Sequence, residues 1–193
     1  LRNSSAASDV YKRQLLPAAL QHLAGFDDSV PNDQNSFEGG RTLRMQRVLV
    51  TGGAGFIGGA VVRRLLSQRK ALVFNLDKVG YASDCSGIEA TLQGLGSEAS
   101  DRYRFMRVDL ADGEATAAAL READPDLVMH LAAESHVDRS IDGPDAFLSS
   151  NVIGTFSLLK AARAHWGALS EERQRNFRLH HISTDEVLSL IHI

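Results

Sequence analysis

From Met45 onward, short apolar runs alternate with longer segments in which apolar residues recur every three or four positions. Short runs of this kind are typical of buried strands, and the longer period is typical of amphipathic helices. The pattern predicts five strands, which are Arg47–Thr51, Ala71–Asp77, Tyr103–Val108, Leu127–Leu131 and Phe177–Ser183. It predicts helices over Phe56–Gln68, Gly87–Leu95, Gly113–Glu122, Pro144–Trp166 and Glu171–Asn176. This alternation favours an α/β fold with a doubly wound parallel sheet.

The first 44 residues lack this pattern. Residues 1–14 are polar and rich in small side chains, and residues 27–41 carry Asp, Asn, Ser, Pro and Gly without periodicity. Such segments bury too little apolar surface to offset the entropy lost on ordering. We therefore expect residues 1–44 to be a disordered or non-native extension.

A turn with four glycines follows the first predicted strand. Gly53, Gly55 and Gly58 fit the spacing G-x-G-x-x-G, and Gly52, Gly55 and Gly58 fit the variant G-x-x-G-x-x-G. Glycines at these spacings permit the tight turn, the approach of backbone N–H groups to a pyrophosphate, and close packing of helix on strand. The unpaired N–H groups at the start of the following helix favour an anion. The stretch predicts a Rossmann-type dinucleotide site; a glycine-rich loop without a ligand is the alternative.

Two further strand ends carry acids. Asp77 ends the second strand at the distance at which dinucleotide sites place a carboxylate for the ribose hydroxyls. A carboxylate there repels a 2′-phosphate and favours NAD over NADP, although Lys78 beside it has the opposite charge. Asp109 and Leu110 end the third strand, where contact with adenine is common. The alternative for both acids is a solvated position at a strand end.

A mainly polar string, His130–Ile141, follows the fourth strand. Small Ala132 and Ala133 would let the nicotinamide half pass over the sheet edge, and the polar side chains after them could bind a polyhydroxylated or phosphorylated ligand. A polar loop with an Asp138–Arg139 ion pair is the alternative. His130, Glu134 and His136 lack a clean metal-binding arrangement, so no metal is expected.

Asn151 and Gly154 lie inside the longest predicted helix, where both residue types are unfavourable. Such residues usually bond to backbone or permit close packing, so we expect them to support the cofactor site. The fifth strand delivers Ser183 and Thr184 to the same sheet edge, and Asp185 and Glu186 follow. Taken alone, these last residues could equally be a solvated strand exit.

Four motifs together resemble the dTDP-glucose 4,6-dehydratases, a family of extended short-chain dehydrogenases/reductases. They are residues 51–58, residues 130–141, residues 151–155 and residues 180–187. The first motif is shared across the superfamily. The strings Ala-Ala-Glu-Ser-His-Val-Asp-Arg-Ser-Ile and Ser-Thr-Asp-Glu-Val are specific to sugar-nucleotide dehydratases.

The resemblance implies dehydration of a nucleotide-diphospho-glucose to the 4-keto-6-deoxy sugar with NAD as cofactor. Hydride would leave sugar C4 and return at C6, Glu186 would remove the C5 proton, and Asp185 would protonate the departing C6 hydroxyl. Thr184 would bind the sugar near O4, and Ser135 would also contact the substrate. Residues implied to bind NAD are Gly52, Gly55, Phe56, Ile57, Gly58, Asp77, Lys78, Val79, Gly80, Asp109, Leu110, Leu131, Ala132, Ala133, Glu134, Ser135 and Ser150.

The sequence departs from the family pattern after Val187. The family continues with Tyr-Gly, whereas this chain has Leu188–Ile193, and no Tyr is followed four residues later by Lys. We expect residues 45–187 to be a partial NAD-binding domain without its last strands and substrate domain, and residues 188–193 to be a foreign or frayed tail. Such a chain should bind NAD weakly without turnover. Alternatives are another sugar-nucleotide dehydratase, a 4-epimerase, or a non-catalytic NAD-binding regulator.

Composition narrows the possible partners. The net charge is −3, the sequence pI is about 6.2 and basic residues are dispersed, which argues against nucleic acid as a partner. No apolar run approaches the roughly 18 residues of a membrane span. The single cysteine, Cys85, suits a reducing cytoplasm. The family resemblance further implies a homodimer.

Overall fold

A computed structural model of the chain describes residues 45–68 and 71–183, apart from the side chains of residues 137 and 138. Five strands form one parallel sheet in the order β3-β2-β1-β4-β5. They are β1 (Arg47–Thr51), β2 (Leu72–Asp77), β3 (Tyr103–Arg107), β4 (Leu127–His130) and β5 (Arg178–His181). The predicted doubly wound parallel sheet is therefore confirmed. The predicted extension and tail lie outside the described residues.

Helices connect the strands. They are α1 (Phe56–Gln68), α2 (Ser86–Leu95), α3 (Ser97–Asp101), α4 (Gly113–Ala123), α5 (Val137–Asp142), α6 (Pro144–Phe147), α7 (Thr155–Ala168) and α8 (Glu171–Asn176). A π-helical segment, Leu148–Gly154, joins α6 to α7. The predicted helix Pro144–Trp166 thus exists, but its first half is not regular α-helix. Helices α3 and α5 were not predicted, because five or six residues are too few to show a period.

The central strands are apolar on both faces because helices cover both. Leu49 of β1 and Val128 of β4 share a buried cluster with Leu120 of α4 and Leu158 of α7. Val48 and Val50, which alternate with Leu49 along the strand, point to the opposite face and are also fully buried. The buried residues of α1 are Gly58, Gly59, Val61, Val62, Leu65 and Leu66. A strand covered on both faces carries a continuous apolar run, which the sequence of β1 shows.

An ionic cluster fixes the end of the sheet at which the strands begin. The guanidinium of Arg173 in α8 donates to the carboxylates of Asp124 and Asp126, at 2.9 and 2.8 Å. Asp126 also accepts a bond from the backbone N–H of Arg47, at the start of β1. These contacts lie opposite the strand ends that carry the predicted site. Within the described residues, no helix is long and apolar enough to cross a membrane.

Candidate functional site

A groove runs along the edge where the parallel strands end, as expected for ligand sites in α/β sheets. The ends of β1, β2 and β4 meet there because these strands are neighbours in the sheet. The predicted residues that line the groove are Gly52, Gly55, Asp77, Lys78, Gly80, Asp109, Leu110, Leu131, Ala132, Ala133, Glu134, Ser135 and Ser150. The structure therefore brings together residues that are up to about a hundred positions apart in sequence.

The glycine turn contributes Gly52 and Gly55 to the lining of this groove. Gly52 has φ 71°, and a Cβ atom there would come within 2.6 Å of the backbone nitrogen of Ala132. A Cβ on Gly58 would collide with the carbonyl oxygen of Gly52. The first glycine thus permits both the left-handed turn and the approach of the β4 loop, and the last permits α1 to pack against the turn. Helix α1 begins at Phe56, directly after Gly55, so its first turn follows a residue that lines the groove.

Asp77 organises the loops on either side of the groove. Its buried carboxylate accepts hydrogen bonds from the backbone N–H of Ala54 at 3.0 Å and of Val79 at 2.8 Å, and from the hydroxyl of Ser83 at 3.2 Å. A carboxylate has about four acceptor sites, so these bonds leave capacity for a ligand hydroxyl. The residue predicted to bind the ribose therefore also holds the glycine turn against the β2 loop.

The loop after β2 contains a strained residue. Val79 has φ 62°, in the left-handed region that a β-branched side chain rarely adopts. The side chain of Lys78 extends toward the β4 loop, where its Nζ lies 3.0 Å from Oε1 of Glu134. Nearby, the guanidinium of Arg139 lies 3.8 Å from the centre of the Tyr81 ring. A strained backbone conformation of this kind persists only where surrounding contacts hold it in place. Such conformations occur most often at functional sites.

Three residues of the π-helical segment either line the groove or support residues that line it. Ser150 is buried and lines it. Asn151 accepts a hydrogen bond from the N–H of Glu134 at 2.8 Å and donates one to its carbonyl at 2.9 Å. A Cβ on Gly154 would lie 3.1 Å from the Cβ of Leu110, so this glycine allows the helix to approach the β3 loop. The side-chain bonding and close packing expected of Asn151 and Gly154 are confirmed.

A buried histidine links β1, β4 and α7 below the groove. The Nδ1 atom of His130 lies 2.7 Å from the hydroxyl of Thr51, and its Nε2 atom lies 3.0 Å from the hydroxyl of Thr155. Thr51 also accepts from the N–H of Ala132 at 3.3 Å. Burial, with a smaller contribution from His181, lowers the pKa of His130 from 6.5 to about 4. His130 is therefore neutral at pH 7, and one ring nitrogen donates while the other accepts.

Four predicted cofactor residues do not line the groove: Phe56, Ile57, Gly58 and Val79. The first three form the first turn of α1, and Phe56 is 61% exposed. Five residues line the groove and were not predicted: Leu76, Tyr81, Ala82, Ser83 and Val108. Ser83 could have been suspected from the cluster of small residues after Asp77, and Val108 from its place beside Asp109. Tyr81 carries no comparable signal in the sequence.

The predicted catalytic residues Thr184, Asp185 and Glu186 lie outside the described residues, as does the side chain of Asp138. The chain just before them continues along β4, because the N–H of Ile182 donates to the carbonyl of His130 at 3.0 Å. Parallel pairing therefore persists to the edge that carries the groove. The catalytic roles of these residues remain predictions.

Known proteins show the same combination of sequence and fold. Residues 49–188 match the family described as GDP-mannose 4,6 dehydratase. A dTDP-glucose 4,6-dehydratase of Salmonella typhimurium is 48% identical over 141 residues, which are 73% of this chain and 37% of that protein. The chain thus spans about 37% of the length of this relative.

Solved structures are similar to this chain in both sequence and fold. A dTDP-glucose 4,6-dehydratase from Streptomyces venezuelae, with NAD and TYD bound, is 40% identical with a TM-score of 0.58, covering 74% of this chain and 40% of that one. A UDP-glucose-4-epimerase from Stenotrophomonas maltophila has NAD and formylated UDP-arabinopyranose bound. It is 33% identical with a TM-score of 0.53, and the match covers 62% of this chain and 36% of that one. The expected resemblance to the sugar-nucleotide dehydratases is confirmed, and the chain belongs to the GDP-mannose 4,6-dehydratase family.

Proposed function

We propose that this chain binds NAD in the groove and supplies the NAD-binding part of an enzyme that dehydrates dTDP-glucose to its 4-keto-6-deoxy product. The observation that carries the proposal is the meeting of the Gly52 turn, Asp77 and the Ala132–Ser135 loop at one sheet edge. The relatives named above support the substrate class, since the most similar of them are dTDP-glucose 4,6-dehydratases.

The groove fits a dinucleotide in shape and chemistry. A backbone without side chains at Gly52 and Gly55 leaves room for a pyrophosphate beside the first turn of α1. Asp77 would hold the adenosine ribose, and Leu110 would contact the adenine. Ala133 and Ser135 are exposed residues of the β4 loop that line the groove, and the nicotinamide would lie against them. When bound there, NAD supplies a hydride acceptor that can later return the hydride.

The residues proposed for proton transfer follow β5. Dehydration across C5 and C6 requires a base for the C5 proton and an acid for the departing hydroxyl. Glu186 would be the base, Asp185 the acid, and Thr184 would hydrogen-bond the sugar. Two adjacent carboxyls can serve opposite roles when their surroundings separate their pKa values. Ser135, which is exposed and lines the groove, would contact the substrate from the β4 loop.

The NAD-binding part of the proposal is tested on the chain itself. We expect the purified chain to increase the fluorescence of NADH in a saturable titration, and Asp77→Asn to weaken the affinity by about tenfold or more. Asp101→Asn is the matched control, because Asp101 is an exposed acid at the end of α3. Urea unfolding of each variant separates lost binding from lost stability. Absence of NADH binding by the unsubstituted chain would contradict the proposal.

The dehydratase part is tested with a chimera. Residues 49–188 of this chain, the range that matches the family, replace their counterpart in the Salmonella typhimurium relative. We expect the chimera to convert dTDP-glucose to a product lighter by one water, measured by mass spectrometry, and the same chimera with Glu186→Gln to lose this activity. A folded, NAD-loaded chimera that isomerises the hexose without losing water would favour the 4-epimerase alternative. Binding without either reaction would favour a non-catalytic NAD-binding role.

A homodimer is also proposed, with a second copy of this chain on an exposed apolar face. Val152, Ile153, Phe156 and Leu159 are 59%, 51%, 65% and 49% exposed. Their spacing places them on one side of the π-helical segment and α7. Helix pairs that bury such a face are a common basis for symmetric dimers. A cytoplasmic location stays a prediction from the single cysteine.

A further inference from the structure

We propose that Lys78 and Glu134 form an ionic latch across the groove that slows the dissociation of NAD. We call this pair the Lys78–Glu134 latch. The inference rests on the proposed binding of NAD and concerns how the cofactor is retained. It is carried by the path of the ion pair, by the contacts that fix its two ends, and by the charges along the groove.

The ion pair crosses the line that a bound dinucleotide would follow. Lys78 comes directly after β2, and Glu134 lies in the loop after β4. Strand β1 lies between these two strands, so the pair spans about 10 Å of sheet edge above the end of β1. That strand end carries the glycine turn at which the pyrophosphate would bind. Both residues line the groove, and a dinucleotide bound at that turn would have to pass their contact of 3.0 Å between Nζ and Oε1 when it leaves.

Both ends of the latch are fixed by contacts of their own. The backbone of Glu134 is held on both its N–H and its carbonyl by the side chain of Asn151. The backbone after Lys78 is held by Asp77, which accepts from the N–H of Val79 while Val79 adopts φ 62°. Backbone restraint at both ends reduces the entropy that an ion pair between mobile loops would lose on forming. The Lys78–Glu134 pair should therefore lose less entropy on forming than an ordinary surface ion pair does.

The charges along the groove give the pair a further role. The described residues that line it include the acids Asp77, Asp109 and Glu134, and Lys78 is the one lysine or arginine among them. A pyrophosphate placed next to an unpaired Glu134 carboxylate would meet like charge. Pairing with Lys78 neutralises that carboxylate, and the side chains are only 35% and 17% exposed, so solvent screens the attraction incompletely.

Dissociation of NADH tests the latch directly. The chain is loaded with NADH and chased with excess NAD, and loss of NADH fluorescence gives the rate of release. We expect Lys78→Met and Glu134→Gln each to raise this rate by about tenfold, and the double variant to raise it no further, because either change removes the same pair. An increase in ionic strength from about 0.05 M to about 0.5 M should accelerate release from the unsubstituted chain and leave the double variant unchanged.

The matched control is the ion pair between Arg104 and Glu122, which is 2.7 Å long and exposed on a different part of the surface. Arg104→Met with Glu122→Gln should not change the release rate.

Two results would overturn the latch. The first is that the single variants release NADH at the unsubstituted rate. The second is that the double variant multiplies the rate increases of the two single variants, because two changes to one shared contact should not multiply. Absence of NADH binding by the unsubstituted chain would overturn both the latch and the proposed function, whereas normal binding with unchanged release overturns the latch alone.

Discussion

The side chain of Asn151 takes the place of a neighbouring strand for the backbone of Glu134. It accepts from the N–H and donates to the carbonyl of the same residue, with both bonds shorter than 3.0 Å. A backbone segment in a loop would otherwise depend on water for these bonds. The amide thus fixes the loop after β4 at the point where it borders the groove. Because Asn151 belongs to the π-helical segment, the position of that segment determines where the loop after β4 borders the groove.

Removal of this amide should destabilise the fold and weaken cofactor binding. Asn151→Ala leaves two backbone groups of Glu134 without their partners, which should lower the free energy of unfolding by about 2 kcal/mol. Asn151→Asp should also be unfavourable, because it replaces a donor by a carboxylate facing a carbonyl oxygen. Urea unfolding and NADH titration measure the two effects.

The control is Ser67→Ala, which removes an exposed hydrogen bond to the carbonyl of Arg63 and should change neither stability nor NADH affinity by much. An unfolding free energy for Asn151→Ala equal to that of the control would contradict the assignment.

The buried His130 predicts a loss of stability in mild acid. Its pKa is about 4 in the folded chain and 6.5 when unfolded, so the unfolded chain binds the extra proton first as the pH falls. The contribution of this residue is fully present above pH 6.5 and decreases between pH 6.5 and 4, by about 3 kcal/mol in total.

Urea unfolding at several values of pH checks this expectation. His130→Gln should be less stable than the unsubstituted chain at pH 7 and should lose less stability toward pH 4.5. The exposed His136 gives the matched variant His136→Gln, which should keep the unsubstituted pH profile. Equal acid sensitivity in the His130→Gln chain would show that other groups dominate this range.

Two glycines should respond oppositely to the same substitution. Gly52→Ala places a Cβ within 2.6 Å of the Ala132 nitrogen at a left-handed φ, so we expect a loss of about 2 kcal/mol or more and weaker NADH binding. Gly94→Ala adds a Cβ with no atom within 4 Å, inside helix α2, and should stabilise the chain by about 0.5–1 kcal/mol. Thermal unfolding measures both. A neutral Gly52→Ala variant would contradict the close approach of the β4 loop.

The exposed apolar face predicts a dimer that a single charge disrupts. Phe156→Glu introduces a carboxylate into a face that is buried on association, so the dimer dissociation constant should rise by at least about tenfold. Analytical ultracentrifugation over a range of concentrations measures it. Leu95→Glu is the control, because Leu95 is 44% exposed on α2, away from that face. A chain that remains monomeric without substitution would contradict the proposed dimer.

The sequence predicts the first strand and helix with the observed limits, because every local signal agrees there. The apolar run ends at Thr51, the glycines follow at once, and helical spacing starts at Phe56. The predicted and observed limits agree less well where no glycine or similar residue marks the end of a strand. Strand β5 was predicted over Phe177–Ser183 but covers Arg178–His181, since only pairing with β4 determines its length.

The site could be predicted only as far as linear patterns extend. Asp77 follows from its spacing to the glycines, and the residues of the β4 loop follow from family motifs. The bonds between Asn151 and Glu134, 17 residues apart, depend on how a helix is placed against a loop, which no periodicity encodes. The left-handed Val79 is still less predictable, because valine is disfavoured in that conformation and so gives no sequence signal.

The π-helical segment has a consequence for the evolution and engineering of this chain. Deletion of one residue within Leu148–Gly154 would restore regular α-helical bonding and relieve a rare, costly geometry. The same deletion would rotate the side chains on one side of it by about 100°, so Ser150, Asn151 and Gly154 could no longer meet their present neighbours. Selection for helix stability and selection for groove shape therefore oppose each other here, and stabilised variants that shorten this helix should be found only where cofactor binding is not required.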